Sequence, residues 1–417
     1  MLFVVACALV GSPVTVEDGH DAKRAAEVAK INAIPGVLWR AGLNSRFAGL
    51  PLGASQQLAG VKSGAKEHLR QSVAAGKVRV GTKPPGVTLP DAFDSASNWP
   101  HCAAVINDIR DQSACGCCWA FGAAEAASDR LCIATNATVS LALSAQDVCF
   151  CTQPDGCNGG FPEMAWEQIG NVGAVSGAQG QGKGPFASAG LCSAFTLPHC
   201  HHHGPTRDDP YPAEGTTGCP NVEQSPECPK ACDAGAKAPH DDFNKDKYTF
   251  GGIVETYDTE DGIAHAIMTL GPVEAAFNVM SDFENYVSGI YHTTSTQQLG
   301  GHAIKIVGWG EEGGVKYWKV ANSWNPYWGE NGYFRIRKGT NECGIEDQVV
   351  ANGAGAWKGP GVPAGPPTPP APPKHGPCDM ADTKAECVAT TGPKGQCKWC
   401  FLSGIGVGIC QNPDESC

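Results

Sequence analysis

The chain has 417 residues, 42% of them hydrophobic, which is enough for a large core and for more than one folded unit. A net charge of −12 without a basic cluster argues against a nucleic-acid partner. Twenty-one cysteines point to an oxidising compartment and a disulfide framework. No apolar run beyond the N-terminus reaches the ~20 residues that a membrane span needs.

In chain order, residues 1–12 are apolar up to Val10 and offer Ala6-Cys7-Ala8 as a small-residue cleavage site. They read as a short signal peptide without a charged leading region. Residues 13–88 contain no cysteine, and Val14 to Val87 holds eleven Lys/Arg against five Asp/Glu, a net of +6 on a chain that is otherwise acidic. Asp21 to Ile34 has helical composition. A Pro/Gly patch from Thr82 to Gly86 then precedes Leu89-Pro90-Asp91, where a mature domain is expected to begin.

Residues 89–353 start helical, with Trp119 to Ile133 and Pro162 to Asn171. They turn to β in His302 to Val307, Val315 to Ala321 and Tyr333 to Arg337, separated by glycine turns. That order predicts an α+β protein with its site between two lobes. Residues 354–377 form a Pro-rich linker around Gly365 to Pro373. Residues 378–417 carry six cysteines, 378, 387, 397, 400, 410 and 417. Cys397 and Cys400 lack a second matching pair for zinc, so a disulfide knot is expected, with fifteen pairings open.

The chemistry centres on Cys118, at the start of an Ala-rich helical run where the helix dipole favours thiolate. A cysteine in such a framework is ordinarily bridged or buried, and its neighbours decide otherwise. Gln112 stands six residues before it and Trp119-Ala120-Phe121 follow it. His302 opens a strand after Gly300-Gly301, and Asn322 lies one strand later beside Trp324. A thiolate nucleophile needs such a base and such an orienting amide.

The Gln112-to-Phe121 run, Gly300-Gly301-His302-Ala303 and Ala321-Asn322-Ser323-Trp324-Asn325 resemble the papain family of cysteine proteases, although Cys117 stands where that family has Ser or Ala. The resemblance implies a two-lobe fold, a helical lobe against an antiparallel β lobe. It implies His302 as base and acid, Asn322 as its orienter, and Trp324 as a shield. Gln112 and the Cys118 N–H would form the oxyanion hole.

The separation of 184 residues between Cys118 and His302 exceeds the ~130–150 of the family and requires an insertion. The stretch Asp108 to Ile133, Trp39-Arg40-Ala41-Gly42 in the leader and the inserted segment resemble cathepsin B. This likeness implies bridges Cys102–Cys132, Cys115–Cys157, Cys149–Cys228, Cys192–Cys232 and Cys200–Cys219. Cys151 and Cys343 stay unpaired, and Cys117 either packs like serine or joins Cys118. Gly159 and Gly160 would pair with substrate backbone, and Gln348 would line a second pocket favouring apolar side chains over Arg. His202 and His203 would receive a substrate's C-terminal carboxylate, with His202 latched to Asp111. A second latch from Arg207 is lost because Tyr327 replaces an Asp.

The implied protein is a cysteine peptidase, endolysosomal or secreted, with endopeptidase and peptidyl-dipeptidase action. Protein and peptide substrates are its partners, and its own pro-region is its inhibitor. No cofactor or metal is called for. The terminal module resembles the small plexin–semaphorin–integrin type, and nothing in it identifies a ligand. Competing readings are a thioredoxin-type site at Cys115 and Cys118, metal binding by His199 to His203, and an inactive scaffold for adhesion. The first lacks a βαβ context, the second relies on adjacent ligands that cannot all point inward, and the third conflicts with an intact Gln112, Cys118, His302 and Asn322.

Overall fold

The computed structural model describes residues 16–179, 184–198 and 223–363, with four short strands between 391 and 411. The N-terminal segment supplies α1 (Val16–Asn32), β1 (Trp39–Ala41), α2 (Ala65–Ala74) and β2 (Val78–Val80). A helical half follows: β3 (Phe93–Asp94), α3 (Ser95–Asn98), α4 (Ala103–Ile106), α5 (Cys118–Ala134), α6 (Ala145–Thr152) and α7 (Pro162–Asn171). The second half holds β4 (Thr249–Phe250), β5 (Val254–Tyr257), α8 (Glu260–Leu270), β6 (Val273–Met280), β7 (Tyr286–Tyr291) and β8 (Gln298–Glu312). It ends with β9 (Val315–Ala321), β10 (Tyr333–Arg337), β11 (Val349–Asn352) and β12 (Trp357–Lys358).

Helix α5 is rich in alanine and free of proline, and its few charged residues, Glu125, Asp129 and Arg130, find buried partners, so it is suited to a core rather than a surface. Sixteen of its seventeen residues are buried. Helix α6 starts where Ser144 Oγ accepts the Asp147 N–H at 3.1 Å, and α7 starts with Pro162 in its first turn, where no amide hydrogen is needed. Short side chains along α5 let it lie close against β8 and β6, the strands that carry the second half of the site.

The sheet runs β1-β7-β10-β9-β8-β6-β11-β5-β2, with β3 added on β8. It is mostly antiparallel. Two neighbour pairs, β10 with β7 and β2 with β5, are parallel, which departs from a purely antiparallel lobe. Both outer strands of the sheet, β1 and β2, come from the N-terminal segment. Beyond the sheet, β13 (Thr391–Gly392) pairs with β14 (Gly395–Gln396), and β15 (Lys398–Leu402) pairs with β16 (Val407–Gln411).

Disulfides join Cys102 to Cys132, Cys115 to Cys157 and Cys192 to Cys232. The expected Cys149–Cys228 bridge is replaced. Cys149 bonds Cys117, and Cys228 bonds Cys151, so Cys151 and Cys117 are both paired. The reason is helical geometry: residues two apart on α6 point ~200° away from each other. Cys149 therefore faces the core beside Cys117, while half-buried Cys151 faces outward toward Cys228. Cys343 and Cys118 are free thiols. The expected Cys200–Cys219 bridge, the signal peptide at 1–12, most of the linker at 354–377 and the cysteine side chains of 378–417 lie outside the described residues.

Candidate active site

Cys118 is the first residue of α5, with Cys117 in the capping position. Across the cleft, β8 delivers His302, whose register partner on β6 is Phe277. His302 Nε2 lies 2.8 Å from Asn322 Oδ1. The Asn322 amide is oriented by the Ser323 N–H, which donates to the same Oδ1 at 2.9 Å. That oxygen can only accept, so Nε2 carries the imidazole hydrogen and Nδ1 keeps its lone pair. The Trp324 ring lies over His302, with centroids 4.9 Å apart, and keeps water from the His302–Asn322 bond.

Gln112 is held at three points. Its N–H donates to Ser323 O at 2.9 Å, its Oε1 accepts from Ser323 Oγ at 2.7 Å, and its Nε2 donates to Cys115 O at 2.8 Å. The remaining amide hydrogen points to Leu58 O of the N-terminal segment, 3.0 Å away. Ser323 thus sets both Gln112 and Asn322, a role that its place between two recognised residues did not reveal.

The N-terminal segment occupies the cleft. The Gly60 N–H donates to Cys118 Sγ at 3.2 Å. Gly160 N–H donates to Gly60 O at 2.9 Å, and Lys62 N–H donates to Gly160 O at 3.1 Å. Val61 N–H reaches Gly301 O at 2.9 Å, so this strand is clamped between the two halves. It runs parallel to Gly160 and antiparallel to Gly301. Position 60 must be glycine here, since a Cβ would lie 1.8 Å from Gly116 O. At Gly160, a Cβ would lie 2.4 Å from the Trp119 ring. Gly159, at φ 91°, leaves its carbonyl to Gln153 Nε2 at 2.6 Å rather than to the strand.

Burial under this strand overrides the helix dipole. It pushes the Cys118 thiol up to about 12, against smaller downward effects of the Ala303 and Gly60 N–H groups. It lowers His302 to about 4, against the upward effect of the Asn322 bond. Both groups are neutral in this covered state. Buried Glu274, whose carboxyl is raised by burial and which takes a 2.8 Å bond from Trp166 Nε1, adds repulsion against a thiolate. No motif flagged it.

Among the described residues, five Lys or Arg side chains of the segment meet carboxylates of the rest of the chain. Arg24 meets buried Glu284 at 2.9 Å, Arg46 meets Asp111 at 3.7 Å, Lys66 meets Asp347 at 2.6 Å, Lys83 meets Asp261 at 3.4 Å, and Arg79 pairs with Glu255. The Glu284 carboxylate also accepts the Gly53 and Ser55 N–H groups at 3.1 and 2.6 Å. The +6 charge read from the sequence is thus spent on particular carboxylates. Asp111, expected to latch His202, here faces Arg46 and takes a 3.4 Å bond from Asn325 Nδ2. His202, His203 and Arg207 lie outside the described residues. Gln348 is half-buried, and its carbonyl accepts the Ala276 N–H at 2.9 Å. Ala276 and Ala303 form an apolar cluster with Phe161 at its edge, filled from the segment by Val61 and Ala65.

The structure thus brings together Cys118 at a helix start, His302 bonded to Asn322, and Gln112 bonded to Cys115, between a helical half and a sheet. Residues 89–352 match the papain family cysteine protease profile, Peptidase_C1, and the chain belongs to that family. Its relatives place it among the cathepsin B-like members. A cathepsin B-like cysteine proteinase of Schistosoma japonicum is 40% identical over 326 residues, 78% of this chain and 89% of its own. Cathepsin B-like cysteine proteinase 6 of Caenorhabditis elegans is 41% identical over 288 residues, 68% of this chain and 71% of its own. Among solved structures, procathepsin B S9 from Trypanosoma congolense aligns with a TM-score of 0.59 at 29% identity, covering 78% of this chain and 96% of its own.

Proposed function

We propose that this cysteine protease cleaves peptide bonds through Cys118 and His302, with residues 13–88 as its inhibitory pro-region. The observation that carries the reading is the 2.8 Å His302–Asn322 bond, with Gln112 aimed into a cleft that an internal strand fills. Once the strand leaves, water returns to the cleft and Cys118 passes its proton to His302 Nδ1. The thiolate attacks the scissile carbonyl carbon, and the C=O pair moves onto oxygen. The Gln112 amide hydrogen freed from Leu58 and the Cys118 N–H hold that oxyanion. His302 returns the proton to the departing amine as the C–N bond breaks, leaving a thioester. Water, deprotonated by His302, then attacks the thioester and releases the acid.

The finer activity rests on the resemblance. An imidazole is ordinarily charged below about pH 6.5, so His202 and His203 would grip a C-terminal carboxylate in acid. Asp111, which Arg46 approaches at 3.7 Å, is the acid that would hold the first of them. Tyr327 in place of the second latch's Asp leaves the loop less firmly closed, so removal of C-terminal dipeptides is accompanied by internal cleavage. The alanine-lined cluster supports apolar side chains two positions before the cut. The disulfides suit an endolysosomal or secreted setting, and no helix among the described residues is long and apolar enough to cross a membrane.

The test uses protein freed of residues 1–88, assayed at about pH 4.5 on an internally quenched peptide blocked at both ends and on one with a free C-terminus. Cys118→Ala is expected to abolish both cleavages. His202→Ala with His203→Ala is expected to abolish dipeptide release and to spare or raise internal cleavage. Equal loss of both activities in the double variant overturns the dipeptidase reading, and full activity in Cys118→Ala overturns the proposed nucleophile.

A further inference from the structure

Asn136-Ala137-Thr138 is the sole Asn-x-Ser/Thr triplet, with x other than proline, in the 417-residue sequence. It falls in the turn that ends α5, after the capping residue Thr135. Asn136 and Ala137 both adopt left-handed backbone, at φ 48° and 60°, which turns the chain sharply at the surface. The turn is tied from beneath. Asn136 N–H reaches Ile133 O at 3.1 Å, Ala137 N–H reaches Cys132 O at 2.8 Å, and Thr138 N–H reaches Thr135 O at 3.0 Å. Thr135 Oγ1 accepts the Val139 N–H at 3.2 Å, and Cys132 is bridged to Cys102.

With the backbone held this way, the side chains of Asn136 and Thr138 are exposed and make no hydrogen bond with any described residue. A surface asparagine amide beside an accessible threonine hydroxyl is what an oligosaccharide transferase needs, and five disulfides among the described residues suit the compartment where that enzyme works. We infer that Asn136 is a modification site carrying an asparagine-linked oligosaccharide. The donor is a lipid-pyrophosphate-linked oligosaccharide. Asn136 Nδ2 forms a bond to the anomeric carbon of its first sugar as the carbon–oxygen bond to pyrophosphate breaks. The pyrophosphate leaves with the bonding pair, and the amide proton passes to a base of the transferase. No oxidant or reductant is involved. Asn136 and Cys118 stand at opposite ends of a helix about 25 Å long, so the glycan clears the cleft.

The experiment expresses the full chain behind a eukaryotic host's own signal peptide and measures the intact mass of the secreted, disulfide-bonded protein. One glycan is expected, removed in one step by a peptide:N-glycosidase that leaves aspartate at position 136. Asn136→Gln and Thr138→Ala should each lose it completely, Thr138→Ser should keep it, and Asn136→Gln should retain unchanged peptidase activity after processing. A secreted parent chain of unmodified mass overturns the inference. So does a glycan that persists in both Asn136→Gln and Thr138→Ala.

Discussion

At the scale of single residues, the contest is between the helix that starts at Cys118 and the strand that covers it. With the thiol raised to about 12 and His302 lowered to about 4, neither group is charged between those limits while the strand is in place. Alkylation by a neutral reagent tracks the thiolate, so Cys118 in the unprocessed chain should react slowly at about pH 6 and speed up only toward alkali. Removal of the segment should bring fast alkylation at the same pH, since both shifts are caused by burial first. Gly60→Ala tests the cause. Its Cβ cannot sit 1.8 Å from Gly116 O, so the strand must move, and the unprocessed variant should alkylate nearly as fast as the processed enzyme. Equal, slow rates in parent and variant would show that something other than this strand suppresses the thiol. The helix-start argument for Cys118 was readable from sequence. That the leader inhibits came from the resemblance alone, because no pattern in Leu58 to Lys62 announces which strand covers Cys118.

At the scale of elements, composition located what local chemistry controls. Helices expected at 119–133 and 162–171 occur as Cys118–Ala134 and Pro162–Asn171, and strands expected at 315–321 and 333–337 have those bounds. The strand expected at 302–307 extends to Gln298–Glu312 because β6 and β9 flank it along most of that length. The brief strands β1 and β2 were missed, since three residues each, paired with partners far along the chain, leave no periodic trace. Bridge partners were the least legible feature. Cys149 and Cys151 differ by only two positions, and it is the orientation of α6 that sends one to Cys117 and the other to Cys228. Peptide mapping of the denatured, unreduced chain should recover linked fragments 117–149 and 151–228, with Cys118 and Cys343 alkylated. A 149–228 fragment, or one joining Cys117 to Cys118, would contradict this arrangement. With Cys117 engaged to Cys149, joining it to Cys118 would first require that bridge to break.

At the scale of the whole molecule, a buried charge cluster sits where α5 meets the sheet. Lys305 on β8 lies 2.8 Å from Asp129 and 4.0 Å from Glu125, both on α5, with Arg110 and its 3.0 Å partner Asp108 beside them. Burial outweighs Lys305 and raises Glu125 to about 7 and Asp129 to about 6. A carboxyl that holds its proton more tightly when folded favours the folded state in acid. For Glu125 that benefit is complete below the ordinary 4.5 and disappears as pH rises through about 7. Glu125→Gln cannot ionise, so its melting temperature should fall less than the parent's between about pH 5 and about pH 8. His302 pushes the opposite way in both chains, which leaves the difference between them to Glu125. Parallel pH profiles would mean that Lys305 holds Glu125 ionised throughout.

Maturation also changes how the molecule meets its neighbours. β1 and β2 are the two margins of the sheet, lying on β7 and β5. When the segment is cut away, each of those strands loses a row of hydrogen-bonded partners and becomes an open edge, the kind of surface on which chains add to one another. Concentrated stocks of the full chain should therefore stay dispersed, by light scattering, under conditions where protein freed of residues 1–88 clumps.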